Sequence, residues 1–316
     1  MERRVAVLFG GSGFIGRHLV RRLAADGWIV RVAVRRPEHA LFLKPMGEAG
    51  QVVLAPVDVT NPDMVESAVH DADAVFNLIG ILYQRGKRTF QRMHVDVAGS
   101  IAAAAARAGA QRLVHVSAIG ASADSTAAYA RTKAAGEKAV FAAFRQATVL
   151  RPSVVFGPED QFFNRFASMA RFMPFLPVFD TKFQPVYVGD VADAMMTVLT
   201  DAEASGKTYE LGGPRVISFR EVMELVVAET GRHRPLVPVP LAIGSLQGAV
   251  LEWLPVPPLT RDQVELLRTP NVVSANALTL HDLGITPTAV EVVIPTYLKR
   301  YRRYGRDQRS HLQNGG

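Results

Sequence analysis

The chain has 316 residues, 48% of them hydrophobic, and 36 Lys and Arg against 29 Asp and Glu give a formal net charge of +7. That is enough apolar material for one large α/β domain with a smaller one appended. The absence of cysteine excludes disulfides, thiolate metal sites and cysteine-ligated iron–sulfur clusters, and no metal site is assigned. No apolar run is long enough to cross a bilayer and the first strand starts beside Met1, so a soluble or peripheral protein without a signal or transit peptide is expected. The positive charge suits nucleic acid, anionic lipid, an acidic protein or a phosphate-rich ligand, and by itself chooses none of them.

Val5 to Phe9 reads as an apolar strand running into Gly10-Gly11-Ser12-Gly13-Phe14-Ile15-Gly16, and Phe14 to Ala25 as an amphipathic helix ending near Gly27. A pyrophosphate needs bare backbone N–H groups at the positive end of a helix. Gly10 would supply the tight turn, Gly13 the close backbone approach and Gly16 room for the helix against its strand, with Phe14 and Ile15 opening the helix at the phosphates.

A second strand, Trp28 to Val34, ends at Arg35 and Arg36, where an acidic residue would mark NAD. Two guanidiniums there suit a 2′-phosphate and favour NADP(H) over NAD, the alternative being solvated arginines. Arg17 and His18 could add donors at the same end. A third strand, Val52 to Pro56, leads to Asp58 and Val59, where Asp58 either accepts from the adenine amino group or caps the next turn. A fourth, Ala74 to Leu78, runs out at Gly80, small enough to let a cofactor pass with Leu78 beside it. Phe90 to Ala108 reads as one alanine-rich helix and Arg112 to Ser117 as the fifth strand. Strands and helices alternating in this way imply right-handed crossovers and a doubly wound parallel sheet.

On the next helix Tyr129 and Lys133 stand four apart, on one face. A nearby ammonium favours a phenolate, which can exchange a proton with a carbonyl or alcohol while a nicotinamide moves hydride.

With these residues in view the chain resembles the short-chain dehydrogenase/reductase superfamily, in its extended or atypical branch, over about residues 4 to 300. The likeness is carried by Gly10 through Gly16, Asp58, Tyr129 with Lys133, and Arg151-Pro152-Ser153-Val154-Val155-Phe156-Gly157-Pro158. Three stretches narrow it to the branch of complex I accessory subunits: Arg151 through Phe166, Gln184 through Ala192, and Leu259-Thr260-Arg261-Asp262-Gln263-Val264. The resemblance implies a Rossmann domain over residues 1–156, with a later strand and helix returning near 185–200, a smaller mixed α/β lobe over 157–296 and a basic tail over 297–316. It also implies a tightly held structural NADPH and partners among the peripheral-arm subunits of complex I near the membrane junction. The location would be the cytoplasmic face of a bacterial inner membrane, or the matrix side of a mitochondrial one.

The superfamily carries a Ser or Thr at the end of the fifth strand, beside the tyrosine, and here that position falls on Ala118, with Ser117 and Ser122 as nearby substitutes. Losing a hydrogen bond to the reacting oxygen costs a few kcal/mol of transition-state stabilisation. The cofactor set implied is Gly10, Gly13, Phe14, Ile15, Gly16, Arg35, Arg36, Asp58, Val59, Leu78, Gly80, Ser117, Tyr129, Lys133 and Pro152, and the catalytic set Tyr129, Lys133 and, in place of the missing residue, Ser117.

In the second half Asp190 is expected to cap a helix from Val191 to Thr200, Tyr209 to Leu211 to form a strand, and Phe219 to Thr230 a helix stopped by Gly231. The uncharged run Leu236 to Leu251 reads as a buried helix before a docking surface. The segment from Tyr297 interleaves aromatics with cations and suits anionic lipid, an acidic partner or a solvated helix end, with nucleic acid the least favoured partner.

Overall fold

The computed structural model describes residues 4–254, 257 and 259–302. In chain order the first half forms β1 (Val5–Phe9), α1 (Phe14–Ala25), β2 (Ile29–Val34), β3 (Val52–Pro56), α2 (Pro62–Val69), β4 (Ala74–Asn77), α3 (Val97–Arg107), β5 (Arg112–Val116), α4 (Ala128–Ala143) and β6 (Thr148–Pro152). The second half adds β7 (Val155–Phe156), α5 (Phe163–Phe172), β8 (Leu176–Val178), β9 (Lys182–Phe183), β10 (Val186–Tyr187), α6 (Val188–Thr200), β11 (Thr208–Leu211), β12 (Ile217–Ser218), α7 (Phe219–Thr230), β13 (Leu236–Pro238), α8 (Leu241–Leu251), α9 (Arg261–Leu266) and α10 (Val290–Leu298).

Seven strands form one parallel sheet in the order β11-β6-β5-β4-β1-β2-β3. β1 and β4 are apolar almost throughout because both of their faces are covered. On one face Leu19, Leu23, Val191 and Met195 bring α1 and α6 onto the sheet. On the other Val65, Ile101, Ala105 and Val140 bring down α2, α3 and α4. The order reverses between β1 and β4, and the carboxyl ends of those two strands frame the crevice where ligands of such sheets sit. A second core, built on Phe156, Phe163, Phe183, Phe219 and Ile294, lies under the short strand pairs β7–β10, β9–β12 and β8–β13 and helices α5, α7 and α10.

Four local expectations change. The stretch from Phe90 is not one helix: Gln91–Asp96 is a π-helical turn before α3. The wider turn carries buried His94 between the Ile81 N–H, 3.2 Å from Nε2, and the Thr132 hydroxyl, 3.0 Å from Nδ1. Asp190 caps nothing of its own, because α6 already starts at Val188; its carboxylate instead accepts from the Thr288 N–H at 2.7 Å and the Thr288 hydroxyl at 2.8 Å, fastening a distant segment. The uncharged run from Leu236 splits into β13 and α8 and is only partly core: Leu236, Val239 and Leu241 pack at the edge of the second core, while Ile243 and Leu246 on α8 are 50% and 71% exposed. Freedom from charge permits burial, but a packing partner has to supply it.

The basic segment from Tyr297 is also spent internally as far as residue 302. Tyr297 is buried and donates to Asp160 at 2.6 Å, Arg300 holds the Asn164 side chain and the Pro158 carbonyl, and Arg302 donates to the Glu229 carbonyl. The rest of that tail lies outside the described residues.

Candidate functional site

The turn after β1 is built so that no side chain intrudes. Gly10 adopts φ +86°, a left-handed conformation that disfavours any side chain, and a Cβ there would lie 3.1 Å from the Leu78 carbonyl. A Cβ on Gly16 would lie 2.5 Å from both the Gly10 oxygen and the Gly11 Cα, so this glycine lets α1 close onto its turn. Gly11, given no role in the sequence reading, also has no room: its Cβ would lie 2.7 Å from Val32 Cγ1. Gly13 is the N-cap of α1 with no side chain capping it, and the first turn, which includes Phe14 and Ile15, holds no acidic residue. Bare donors at the positive end of a twelve-residue helix, beside the switch point, fit a pyrophosphate.

At the end of β2, Arg35 and Arg36 are exposed and make no ion pair among the described residues, so both could hold a phosphate. Arg17 and His18 are otherwise engaged: both approach Glu159, His18 at 3.0 Å, and Arg17 lies over the Phe42 ring. Asp58 closes its own turn through Oδ1, which accepts from the Thr60 N–H at 2.9 Å and hydroxyl at 2.8 Å. Those bonds hold its carboxyl below the usual range, helped by Arg92 and Arg35. The two alternatives weighed for Asp58 are therefore compatible, because Oδ2 is left over. Val59 packs partly into the core beneath.

At the other end of the crevice the structure brings Leu78, Gly80, Ser117, Tyr129, Lys133 and Pro152 around the carboxyl ends of β4, β5 and β6. Leu78 continues β4, donating its N–H to Phe9, and Pro152 is buried with its carbonyl accepting from Ile119. Lys133 is buried, and its Nζ donates to the Val116 carbonyl at 3.1 Å; a Cβ on Gly80 would lie 3.5 Å from that nitrogen. Burial pushes the ammonium down to about 8, with Glu137 working against it. Tyr129 differs from expectation. Burial, then the Asp262 charge, pushes its phenol up to about 12, so the protonated form is favoured over the phenolate.

Ser117 is buried and its hydroxyl has no hydrogen-bond partner among the described residues. Ser122 is exposed and accepts from the Asp124 N–H in its own turn, which leaves Ser117 as the stronger substitute donor for Ala118. Sequence reasoning missed a buried polar group beneath the site. His115 on β5 pairs with Asn77 at 3.1 Å and leaves Nε2 unpartnered, while His94 stacks on Phe90 and meets Tyr129 edge to face. Burial and the Lys133 charge push both imidazoles down to about 3, so both are neutral. A histidine in an otherwise apolar strand was the available signal for this group. Among the described residues no cluster of three or more His, Cys, Asp and Glu could hold a metal ion.

A parallel sheet with a glycine turn at its switch point and a Tyr–Lys helix beside it is the arrangement of an extended Rossmann protein. The chain belongs to the NAD dependent epimerase/dehydratase family, which it matches over residues 6–212. Within reach of it in sequence is the Arabidopsis thaliana mitochondrial NADH dehydrogenase [ubiquinone] 1 alpha subcomplex subunit 9, 36% identical over 95% of this chain and 79% of that one. The Mus musculus subunit of the same name is 34% identical over 95% of this chain and 81% of that one. Among solved structures, MoeE5 in complex with UDP-glucose and NAD superposes with a TM-score of 0.71 at 19% identity, covering 94% of this chain and 97% of that one, a likeness of fold.

Proposed function

We propose that this chain is an NADP(H)-binding accessory subunit of respiratory complex I, NADH:ubiquinone oxidoreductase, with the nucleotide held as a structural element. The observation that carries this reading is the likeness, across 95% of the chain, to subunits so named. Gly10, Gly13, Phe14, Ile15 and Gly16 present the pyrophosphate donors, Arg35 and Arg36 meet the 2′-phosphate, and Asp58 and Val59 flank the adenine. Leu78, Gly80, Pro152, Ser117, Tyr129 and Lys133 surround the nicotinamide half. The free guanidiniums of Arg35 and Arg36 support NADP(H) over NAD. Ala118, which has no hydroxyl, supports retention without turnover. Because only the folded state binds the nucleotide, its binding energy stabilises the fold and the interface through linkage.

Residues 1–156 with α6 and β11 make up the nucleotide domain in this reading, and the rest of 157–296 the lobe that faces the partners. Among the described residues no helix is long and apolar enough to cross a membrane. The exposed apolar face of α8 supports docking on peripheral-arm subunits near the membrane junction, with anionic lipid alongside. The corresponding location is the cytoplasmic face of a bacterial inner membrane, or the matrix side in a mitochondrion. Purification from native membranes in mild detergent tests the reading. Stoichiometric NADPH together with co-migrating respiratory subunits is the expected result; a free protein that exchanges nucleotide and reduces a carbonyl would overturn it.

That second outcome is the competing reading, an NADP-dependent reductase, epimerase or dehydratase acting on a carbonyl or nucleotide-sugar. The buried, unpartnered Ser117 hydroxyl favours it. The bound nicotinamide would supply or accept hydride, Tyr129 would exchange the proton with the substrate oxygen, Lys133 would hold the ribose, and Ser117 would take the role absent at Ala118.

A further inference from the structure

Helix α4, which carries Tyr129 and Lys133, has no cap of its own. Its N-cap is Ala127, and its first turn contains no acidic residue. Its first two amides are taken by Asp262, from a segment 134 residues further along: Ala128 donates to Oδ1 at 2.6 Å and Tyr129 to Oδ2 at 3.1 Å.

Asp262 is itself well fixed. It lies in the first turn of α9, where Thr260 and Gln263 form a reciprocal capping box. Thr126, just before α4, donates its hydroxyl to Glu265 at 2.7 Å, and Gln263 reaches the Leu82 carbonyl at 3.4 Å. Arg261 pairs with Glu252 at 2.6 Å, and buried Val264 lies close to Gly244, which joins α9 to α8. One short helix thus bridges the start of α4 and the loop after β4, the two segments that flank Gly80 and Lys133.

We propose that Asp262 is a positioning residue for the nicotinamide half of the dinucleotide site, acting through the first turn of α4. The proposal rests on the reading that this chain binds a nicotinamide dinucleotide. Tyr129 is the second residue of the helix, so its ring orientation follows the geometry of that turn; Lys133, a turn later, has its own anchor at Val116. A turn stripped of this cap frays, because orphan amides recruit water in place of the carboxylate. The adenine half depends on α1 and the end of β2, which Asp262 does not touch.

The full-length Asp262→Ala and Asp262→Asn variants test this, with titration of two ligands: NADPH, and adenosine 2′,5′-bisphosphate, which fills only the adenine half. Asp262→Ala is expected to weaken NADPH about five-fold, the worth of one helix cap, and to leave the fragment unchanged. Asp262→Asn, which keeps one of the two acceptor oxygens and sets an NH2 group against the other amide, is expected to restore only part of the loss. Unchanged NADPH affinity in Asp262→Ala would overturn the proposal, as would equal losses for both ligands in the two variants. If the unmodified protein binds neither ligand, the dinucleotide reading falls and takes the proposal with it; if it binds both and only the variant behaviour fails, the dinucleotide reading stands.

Discussion

Lys133 and Gly80 face each other across the ends of β4 and β5, with a Cβ on Gly80 only 3.5 Å from the lysine nitrogen. The ammonium is desolvated and lowered from 10.5 to about 8. In the window between those values the unfolded chain binds more protons than the folded one, so this group makes stability rise with pH there, and its cost is fully present below about 8. Nucleotide affinity should run the opposite way, since losing the charge removes an attraction for the diphosphate. Titration calorimetry with NADP⁺ from about pH 6.5 to about pH 9.5 should show affinity falling through about 8. Lys133→Met should bind more weakly and lose that dependence, and a step persisting in the variant would assign it elsewhere.

Arg35 and Arg36 bear on which nucleotide is chosen. Removing either guanidinium should weaken NADPH by about ten-fold and leave NADH nearly unchanged, because only the former offers a 2′-phosphate for charge-assisted bonds. Competition between the two nucleotides on Arg35→Ala and Arg36→Ala measures the ratio directly. Equal losses for both would make the arginines general electrostatic attractors.

Gly16→Ala probes the turn itself. The new methyl would sit 2.5 Å from the Gly10 oxygen and Gly11 Cα, both backbone atoms that cannot swing aside. Forcing it in should cost about 1–3 kcal/mol of stability and displace the donors that face the phosphates. Thermal melting with and without NADPH reads both effects: a lower midpoint, and loss of the shift that nucleotide confers.

The α8 face should behave in the opposite manner. Leu246 on α8 and Trp253, two residues beyond its end, are 71% and 87% exposed, so Leu246→Ser with Trp253→Ser should change the stability of the isolated protein by less than about 1 kcal/mol. Co-purification with respiratory subunits should be lost. Retained co-purification would move the docking face to another part of the lobe.

What could be read from the sequence is what neighbouring residues decide among themselves. The glycine turn, the apolar strands, the Tyr129–Lys133 spacing and the Gly231 stop all depend on residues within a turn or two of one another, and the chain folds there as its sequence reads. What escaped depends on distant partners. Asp190 serves Thr288, and Asp262 serves the first amides of α4, and no local pattern records either pairing. The run from Leu236 to Leu251 has the composition of core, yet only part of it, including Leu236, Val239 and Leu241, finds the second core to pack on, and Ile243 and Leu246 stay exposed. The π-turn at Gln91–Asp96 lies in a sequence of ordinary helix formers and is set by what His94 must reach.

The seventh sheet strand, β11, pairs Thr208–Leu211 with Val149–Pro152, and much of the second core lies between them in the chain. During synthesis, β6 is therefore an open edge until residue 211 has emerged, although the other six strands are complete by residue 152. A ribosome paused within α5 or α6 would expose a ready template for another nascent chain. That edge stays unpaired for the time it takes to make about sixty residues, roughly 3–12 seconds at about 5–20 residues per second.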